Sequence, residues 1–326
     1  MKKRPPVEHD DYDRSGAAAS EAGPRKRTGT VALVGRPNAG KSTLMNRLLA
    51  EKVAIVSNKP QTTRHRLVGI LSDERGQMVF YDTPGIHRPL HRLNKQMVRH
   101  ALDALGDADV RCLLVDAAEP FGAGDAYMLD LMSQSPAPRL LALNKIDKVR
   151  KPDLLPMIDR CARSGVFAEI VPISAATGDG CDRLLAAFWQ LLPEGPQLYD
   201  PELLTIHPER FLAAERIREK VLAATHEELP FATAVMIDSW EEEEGRDLLR
   251  LYASILVERP GQKKILVGRQ GQMIKAIGTA ARHDLEEFLG RRVFLDLQVR
   301  LEPGWREDRA LLARLDRDLD VDLEPR

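Results

Sequence analysis

The chain carries at residues 31–43 the sequence Val31-Ala32-Leu33-Val34-Gly35-Arg36-Pro37-Asn38-Ala39-Gly40-Lys41-Ser42-Thr43. An apolar strand, a G-x-x-x-x-G-K-S loop and a helix that opens at Ser42 form the arrangement that cradles phosphates. Glycine at both ends of the loop lets backbone N–H groups turn inward toward phosphate oxygens. Lys41 can reach the β- and γ-phosphates, and the Ser42 hydroxyl can bind Mg²⁺. The alternative, a chance glycine-rich turn, does not account for the strand, lysine and serine together, so residues 35–43 predict a nucleoside-phosphate site.

A second apolar strand, at residues 78–81, ends in Asp82-Thr83-Pro84-Gly85. A carboxylate at the end of a strand beside the phosphate loop can hold Mg²⁺ through water. Gly85 has no side chain to block its N–H from a γ-phosphate. In isolation D-x-x-G is a common turn sequence, but after a phosphate loop it indicates a γ-phosphate sensor.

The strand at residues 140–143 is followed by Asn144-Lys145-Ile146-Asp147, and a later strand is followed by Ser174-Ala175-Ala176. A carboxylate in the first loop can accept hydrogen bonds from both the ring N–H and the exocyclic amino group of guanine. Adenine lacks this donor pair and would leave the carboxylate buried and unpaired. Small residues in the second loop let the backbone approach the base. A solvated surface turn is the alternative for N-K-x-D alone, but in this series the two loops predict guanine binding.

A polar stretch with Gln61-Thr62-Thr63-Arg64 completes a series of five ordered motifs, which resembles that of the translation-factor-like GTPases. The resemblance implies GTP as the ligand and Mg²⁺ as its cofactor. A threonine in this segment could bind Mg²⁺ when the γ-phosphate orders it. Thr63 is favoured over Thr62 because related GTPases place the ligand immediately before the arginine, and Thr62 stays the alternative. The expected metal ligands are Ser42, Thr63 and, through water, Asp82.

Ile86 stands after Gly85, where a glutamine would orient the attacking water in a GTPase. A hydrocarbon side chain neither donates nor accepts a hydrogen bond, so hydrolysis by the chain alone should be slow. In GTPases with this loop sequence, the asparagine that matches Asn38 holds K⁺ against the phosphates. The resemblance therefore implies K⁺ as an activating ion at Asn38, where it would supply positive charge to the transition state.

Length and composition fit a cytoplasmic protein of two domains, with 326 residues, 43% hydrophobic residues and a net charge of −1. No apolar run approaches the roughly 18–20 residues of a membrane helix. Residues 1–28 lack the apolar stretch of a secretory signal and are interpreted as a disordered tail. The three cysteines follow no metal-binding spacing and suit free thiols in a reducing compartment. A near-neutral chain can still carry a local basic patch.

The alternation of strands and helices ends with a helix at residues 182–192, and four prolines then mark a linker at residues 193–207. Beyond it, apolar spacing predicts an amphipathic helix over 211–229, strands over 231–237 and 248–257, and a strand over 265–268. A helix to about residue 289 and a last alternating strand over 293–301 follow. The acidic run at 241–244 reads as a solvated hairpin loop.

Gly268-Arg269-Gln270-Gly271 lies within this second pattern, and the order of its elements resembles the KH fold in its prokaryotic, type II arrangement. A bare G-x-x-G is most often a turn, and its apolar flanks give it weight here. In KH domains this loop presses its backbone against the phosphates of about four unstacked nucleotides. The implied RNA-binding residues are Gly268, Arg269, Gln270, Gly271, Lys275, Lys263 and Lys264, with Arg282, Arg291 and Arg292 adding to the local positive field.

The two patterns together resemble the Era-like family of bacterial GTPases, from about Thr30 to Arg309. The resemblance implies an α/β P-loop GTPase domain, a mostly parallel sheet with helices on both faces, plus a smaller α+β type II KH domain. The implied ranges are a tail at 1–28, the GTPase domain at 29–192, a linker at 193–207, the KH domain at 208–304 and a C-terminal tail at 305–326.

This resemblance also implies a slow GTPase that binds the 3′ end of 16S ribosomal RNA and assists assembly of the small ribosomal subunit. It implies a monomer in the cytoplasm, with peripheral association at the inner membrane that no residue independently supports. Two alternatives remain. One is a tRNA-modification or membrane-signalling GTPase whose accessory domain contacts protein or lipid. The other is an RNA-binding module whose nucleotide site is structural only.

Overall fold

Two β-sheets organise the chain in the computed structural model, which describes residues 26–85, 92–133, 136–226, 229–242, 245 and 247–317. The first sheet has six strands in the order β2-β3-β1-β4-β5-β6, and all of them are parallel except β2, which pairs antiparallel with β3. Its strands are β1 (Arg27–Gly35), β2 (Leu67–Asp73), β3 (Gly76–Asp82), β4 (Val110–Asp116), β5 (Arg139–Asn144) and β6 (Glu169–Pro172). The helices around it are α1 (Lys41–Leu49), α2 (Arg92–Asp107), α3 (Ala123–Ser133), α4 (Lys151–Arg163) and α5 (Cys181–Leu191).

The central strand β1 shows why this sheet is covered on both faces. Val31 and Leu33 pack in one apolar cluster with residues of α1 and α5. Ala32 and Val34 pack in another cluster with residues of α2, α3 and α4. A strand buried on both faces needs an unbroken apolar run instead of an alternating one. The apolar run before the phosphate loop therefore specifies a central parallel strand.

The C-terminal domain has three strands in the order β7-β8-β9, with β7 antiparallel and β9 parallel to β8. Helices α6, α7 and α8 cover one face, and on the other face Trp305 and α9 pack on Ala234 and Leu256 together with α2. The elements are α6 (Glu209–Ala224), β7 (Ala234–Glu242), β8 (Leu248–Val257), α7 (Pro260–Val267), α8 (Gln272–Leu289), β9 (Arg292–Leu301) and α9 (Arg309–Arg317). The predicted α/β GTPase domain with a type II KH domain is confirmed.

The strand predicted over 265–268 is wrong, because residues 265–267 belong to helix α7 and Gly268 is its C-cap. Pro260 stands at the first helical turn, and the Gln262 side-chain oxygen accepts from the N–H groups of Glu258 and Arg259, at 2.9 and 3.0 Å. Only Leu266 is fully buried, while Ile265 is 52% exposed. A short apolar run does not distinguish a strand from a helix turn, and here the capping residues decide.

Several helix and strand boundaries also differ from prediction. The strand predicted over 231–237 begins at Ala234 and continues to Glu242, so the first two residues of the acidic run predicted as a loop belong to β7. Helix α6 ends at Ala224 instead of residue 229, because Thr225 is extended and its hydroxyl donates to the Val221 carbonyl. Strand β1 begins at Arg27, and the Thr28 N–H donates to the Pro193 carbonyl, so both residues belong to the sheet domain and not to a tail. Residues 1–25 of the predicted tail lie outside the described residues.

The predicted linker at 193–207 packs along the first sheet. The Gln77 side chain bonds the backbone of Leu198 and Tyr199, and the Ile70 N–H donates to the Leu204 carbonyl. At its end, the His207 ring accepts from the Val68 N–H at 3.0 Å. These hydrogen bonds cover β2, which lies at the edge of the six-stranded sheet. An uncovered edge strand could pair with another chain.

Candidate functional site

The phosphate loop joins the end of β1 to the start of α1, and two glycines allow its path. A Cβ on Gly40, which has φ of 99°, would lie 2.2 Å from the Asn144 side chain. A Cβ on Gly35 would lie 2.4 Å from the Leu114 carbonyl oxygen. The Lys41 ammonium group donates to the carbonyls of Gly35 and Arg36 at 3.1 and 3.0 Å. The loop therefore has the tight curl and the inward-pointing lysine that a phosphate site needs.

Three oxygen-bearing side chains meet beside this loop. The Ser42 hydroxyl donates to an Asp82 carboxylate oxygen at 2.5 Å, and the Thr63 hydroxyl lies 2.9 Å from that of Ser42. The other Asp82 oxygen is buried and has no hydrogen-bond partner within the described ranges. Oxygen ligands and an unsatisfied carboxylate oxygen fit Mg²⁺, which prefers such donors. The Thr62 hydroxyl instead donates to the Lys59 carbonyl at 2.6 Å, so the geometry favours Thr63.

Burial perturbs the two charged groups at this point. It raises the pKa of Asp82 to about 6, despite the nearby Lys41 charge and the hydroxyls of Ser42 and Thr63. It lowers the pKa of Lys41 to about 8, and the Asp82 carboxylate opposes that shift. Desolvation disfavours the charged form of each group. A cation bound beside Asp82 would lower the pKa of that carboxyl again, and a phosphate bound at Lys41 would raise the pKa of the ammonium group.

The predicted guanine loops lie at the ends of β5 and β6. The Ser174 hydroxyl donates to the Asp147 carboxylate at 2.6 Å, which fixes its orientation. The Asn144 side chain is bonded within the protein: its amide donates to the Ala39 carbonyl at 2.7 Å, and its oxygen accepts from the Ala175 N–H at 2.9 Å. The Asn144 side chain therefore connects the phosphate loop with both predicted guanine loops.

One cleft of about 390 Å³ brings these loops together. Of the predicted residues, those lining it are Pro37, Asn38, Gly40, Lys41, Ser42, Thr43, Thr62, Thr63, Gly85, Asn144, Lys145, Asp147, Ala175 and Ala176. Arg36 instead pairs with Glu119 and Asp125, and the Thr83 hydroxyl donates to the Leu33 carbonyl. Ile86, on which the prediction of slow hydrolysis rests, lies outside the described residues.

Sequence reasoning missed several residues that line this cleft, among them Ser57, Asn58 and Glu119, and it missed Asp116, which contacts the lining residue Lys145. Asp116, at the end of β4, accepts from the Lys145 ammonium group at 2.6 Å. The Asn38 side-chain amide donates to the Asn58 carbonyl at 2.9 Å, so the proposed K⁺ ligand contacts the segment before Thr63. Neither contact could be predicted from a sequence motif. The position of Asp116, a carboxylate at the end of a strand beside the phosphate loop, is nevertheless a signal that indicates a residue near the site.

The segment that carries Thr63 is also bonded to the C-terminal domain. The Arg218 guanidinium donates to the Thr62 carbonyl and is itself held by Glu215. The Arg64 guanidinium donates to the carbonyls of Thr233 and Pro230, at 2.7 and 3.1 Å. The residues on both sides of Thr63 are therefore fixed by the other domain.

The G-x-x-G loop connects α7 to α8 on the surface. Gly268 and Gly271 have φ of 72° and 77°, which favour glycine. A Cβ added to Gly268 would also lie 2.7 Å from the Cβ of Met273. The predicted cations nearby are all exposed and form no ion pair with any described residue; they are Lys263, Lys264, Arg269 and Lys275. By contrast, Arg282 pairs with Glu286 and Arg291 with Glu242. The unpaired set suits a phosphate backbone.

Two families match this chain. Residues 30–145 match the family described as 50S ribosome-binding GTPase, and residues 228–306 match the KH domain. GTPase Era of Syntrophus aciditrophicus is 46% identical over 88% of this chain and 94% of its own length. GTPase Era of Geobacter metallireducens is 47% identical over 89% and 97%.

Solved structures of Era also match this chain over most of its length. A variant of Era from Aquifex aeolicus bound to GDP and AlF4⁻ has a TM-score of 0.86 at 38% identity. A structure of Era with MgGDPNP and nucleotides 1506–1542 of 16S ribosomal RNA has a TM-score of 0.87 at 38% identity. Each match covers 89% of this chain and 98% of the other. Within the described residues, no helix combines the length and apolar character needed to cross a membrane.

Proposed function

Because the chain belongs to the Era family of GTPases, we propose that it binds the 3′ end of 16S ribosomal RNA under the control of GTP and assists assembly of the small ribosomal subunit. The chain is a GTPase, converting GTP to GDP and phosphate. The observation that carries the RNA proposal is the exposed G-x-x-G loop with unpaired cations, in a chain that matches an RNA-bound relative over 89% of its length.

The nucleotide lies in the cleft at the head of α1, with its phosphates on residues 35–43 and its guanine against Asp147 and residues 174–176. Mg²⁺ is held by Ser42, Thr63 and, through water, Asp82, and when bound it neutralises charge on the phosphates. The convergence of these three side chains supports that assignment. Lys41 binds the β- and γ-phosphates, Asp147 selects guanine, and the Gly85 N–H contacts the γ-phosphate.

A small-subunit target is favoured over the large subunit. The family description that mentions the 50S subunit matches residues 30–145 alone, which belong to the GTPase domain. The relative whose structure includes 16S RNA matches both domains. Because the KH loop is the part that would hold single-stranded RNA, the two-domain match carries more weight.

The RNA site consists of the Gly268–Gly271 loop with Lys263, Lys264, Arg269, Gln270 and Lys275. The glycines allow the backbone to approach phosphates, and the cations lie on an open surface. GTP ordering of the Thr62–Thr63 segment changes how the KH domain is held, since Arg218 and Arg64 join that segment to it. Hydrolysis then releases both the switch segment and the RNA.

The remaining parts of the proposal rest on the family resemblance. The protein acts as a monomer in the cytoplasm and associates peripherally with the inner membrane. Intrinsic turnover is slow, and K⁺ at Asn38 activates it. The position of Asn38 in the cleft supports its role as an ion ligand.

Crosslinking of the full-length protein to cellular RNA, with a GTP analogue or GDP, tests the proposal. We expect to recover 16S 3′-end sequences, and we expect more of them in one of the two states, with GTP analogue or with GDP, than in the other. The double variant Arg269→Asp with Gln270→Asp should lose this recovery, because it places negative charge on the phosphate-facing loop. A matched control is Lys151→Asp with Arg160→Asp, which alters exposed cations on α4. Absence of 16S 3′-end sequence in both nucleotide states would contradict the proposal.

A further inference from the structure

A second basic surface lies between helices α2 and α9, and none of its residues belongs to either site described above. It is a groove of about 390 Å³, here called the α2–α9 groove. Its lining residues are Arg92, Lys95, Gln96, Arg99, Arg309, Leu312 and Ala313. Four of these seven side chains are cationic and none is acidic, so the groove has one sign of charge.

The four cations are not neutralised by neighbouring side chains. None of Arg92, Lys95, Arg99 and Arg309 forms an ion pair with a residue in the part of the chain that the structure describes. The nearby Glu307 carboxylate accepts from the Arg92 backbone N–H at 3.2 Å. Concentrating like charges in a groove raises the local concentration of an anionic partner.

The two walls of the groove come from different domains and are joined at one end. The Leu93 N–H donates to the Arg306 carbonyl at 3.3 Å. Beneath them, Leu93 and Met97 of α2 pack with Trp305, Leu311 and Leu312 in one buried cluster. This packing holds the cations of both helices in a fixed arrangement.

The chemistry of the groove favours a nucleic-acid backbone over a lipid surface. Its one large apolar residue, Leu312, is only 2% exposed, so the groove offers no large apolar side chain for insertion among acyl chains. Phosphates of a nucleic acid are bound mainly by arginine and lysine, without apolar contact. Three arginines and a lysine supply that chemistry.

The groove and the G-x-x-G loop lie on opposite sides of the KH sheet. Helix α8 packs on the face of β8 that includes Ile255 and Val257, and α9 packs on the face that includes Leu256. The few nucleotides that the loop holds therefore cannot also occupy the groove. A different stretch of the RNA is needed.

We infer that the α2–α9 groove is a second phosphate-binding surface, which grips the backbone of an RNA stretch outside the one held by residues 268–271. This inference rests on the proposed function, that the chain binds RNA. It adds a contact that is independent of sequence and that requires a longer RNA.

The test compares full-length protein on two RNAs: a short single strand from the 16S 3′ end, and the same strand continued upstream. Binding is measured over a range of salt concentrations. Each phosphate contact to single-stranded RNA contributes about −0.7 to the slope of log K against log[salt]. The triple variant Lys95→Gln, Arg99→Gln and Arg309→Gln should therefore reduce the slope on the long RNA by about 2. Its slope on the short RNA should match that of the unmodified protein.

A matched control replaces three exposed cations of α4: Lys151→Gln, Arg160→Gln and Arg163→Gln. It should leave both slopes unchanged. Equal long-RNA slopes for the groove variant and the unmodified protein would overturn the inference. If the unmodified protein does not bind the short RNA, the proposed function is contradicted instead, so the two failures are distinguishable.

Two further arms exclude other occupants. Residues 318–326 include four carboxylates and follow α9 directly. If the groove variant changes the long-RNA slope only after these residues are deleted, the tail occupies the groove and the inference is overturned. If the variant reduces binding to anionic phosphatidylserine vesicles while long-RNA binding is unchanged, a lipid surface is the partner and the inference is again overturned.

Discussion

The Arg218 guanidinium donates a hydrogen bond to the backbone carbonyl of Thr62, across 156 residues of sequence. The next residue, Thr63, contacts Ser42 and Asp82 in the predicted metal site. Arg218 is almost fully buried and its charge is balanced by Glu215, whose carboxylate lies 2.5 Å away. A single side chain of the KH domain thus contacts the segment that is expected to sense the γ-phosphate.

We predict that Arg218→Lys weakens Mg²⁺-dependent binding of a GTP analogue by about tenfold, because a charge-assisted hydrogen bond contributes about 1.5–3 kcal/mol. GDP binding should change little, since GDP has no γ-phosphate to order the segment. Titration of fluorescent nucleotides at several Mg²⁺ concentrations measures this. The control is Arg210→Lys, on the same helix, because Arg210 donates to the Ile237 carbonyl within its own domain. Equal losses for GDP and the GTP analogue would contradict the role.

We predict that Asp147→Asn reduces the preference for guanine over adenine nucleotides, which a site built to pair with the guanine donors can set at roughly 10⁴-fold. An amide cannot accept from both guanine donors. Ser174→Ala should lower GTP affinity about fivefold, because the hydroxyl that orients the carboxylate is lost. Competition binding with GTP and ATP measures both. An unchanged GTP-to-ATP ratio in Asp147→Asn would remove Asp147 from base recognition.

We predict that His207 makes the nucleotide-free protein less stable as the pH falls from about 6.5 to 4, while Asp82, whose pKa burial raises to about 6, acts in the opposite direction over this range. Burial lowers the pKa of His207 to about 4, with the Arg66 charge adding to the shift. The unfolded chain therefore takes up a proton in this range before the folded one does, which favours unfolding. At the acid end the loss is about 3 kcal/mol. Burial also lowers the pKa of His65, so it acts in the same direction.

Urea unfolding at several pH values between 7 and 4 measures this dependence. His207→Gln keeps an oxygen that can accept from the Val68 N–H. The variant should show a shallower decline. A pH dependence identical to that of the unmodified protein would show that His207 does not contribute.

We predict that GTP turnover is faster in K⁺ than in Na⁺ at equal ionic strength, and that Asn38→Ala removes the difference. The side-chain oxygen of Asn38 would hold the ion against the phosphates and thereby stabilise transition-state charge. Initial rates in the two salts measure this. Equal rates for the unmodified protein would remove Asn38 from the role. The control for its contact with the neighbouring segment is Asn38→Asp, which keeps a side-chain oxygen but loses the amide that donates to the Asn58 carbonyl.

The GTPase domain could be predicted from sequence because its motifs are contiguous and follow buried strands. Residues 31–43 alone specify the central strand, the loop and the following helix. The KH domain was predictable in order but not in every element. Pro260 and Gln262 begin a helix where the apolar run 265–268 resembled a strand.

The contacts between the domains could not be predicted, because they join residues far apart in sequence and follow no spacing. Arg218 with Thr62, and Arg64 with Thr233, are examples. One signal was present in helix α6, where Glu215 and Arg218 occupy buried positions. Charged residues on the buried face of a helix indicate specific partners, but their identity depends on the tertiary arrangement.

The hydrogen bonds from residues 198–207 to the first sheet have a practical consequence for dissecting the protein. A GTPase fragment that stops at residue 192 would bare the unpaired backbone of β2 and be prone to aggregate through it. A fragment extended through His207 would keep that strand shielded. Enzymology on the isolated domain therefore requires the longer version, even though the nucleotide motifs end well before it.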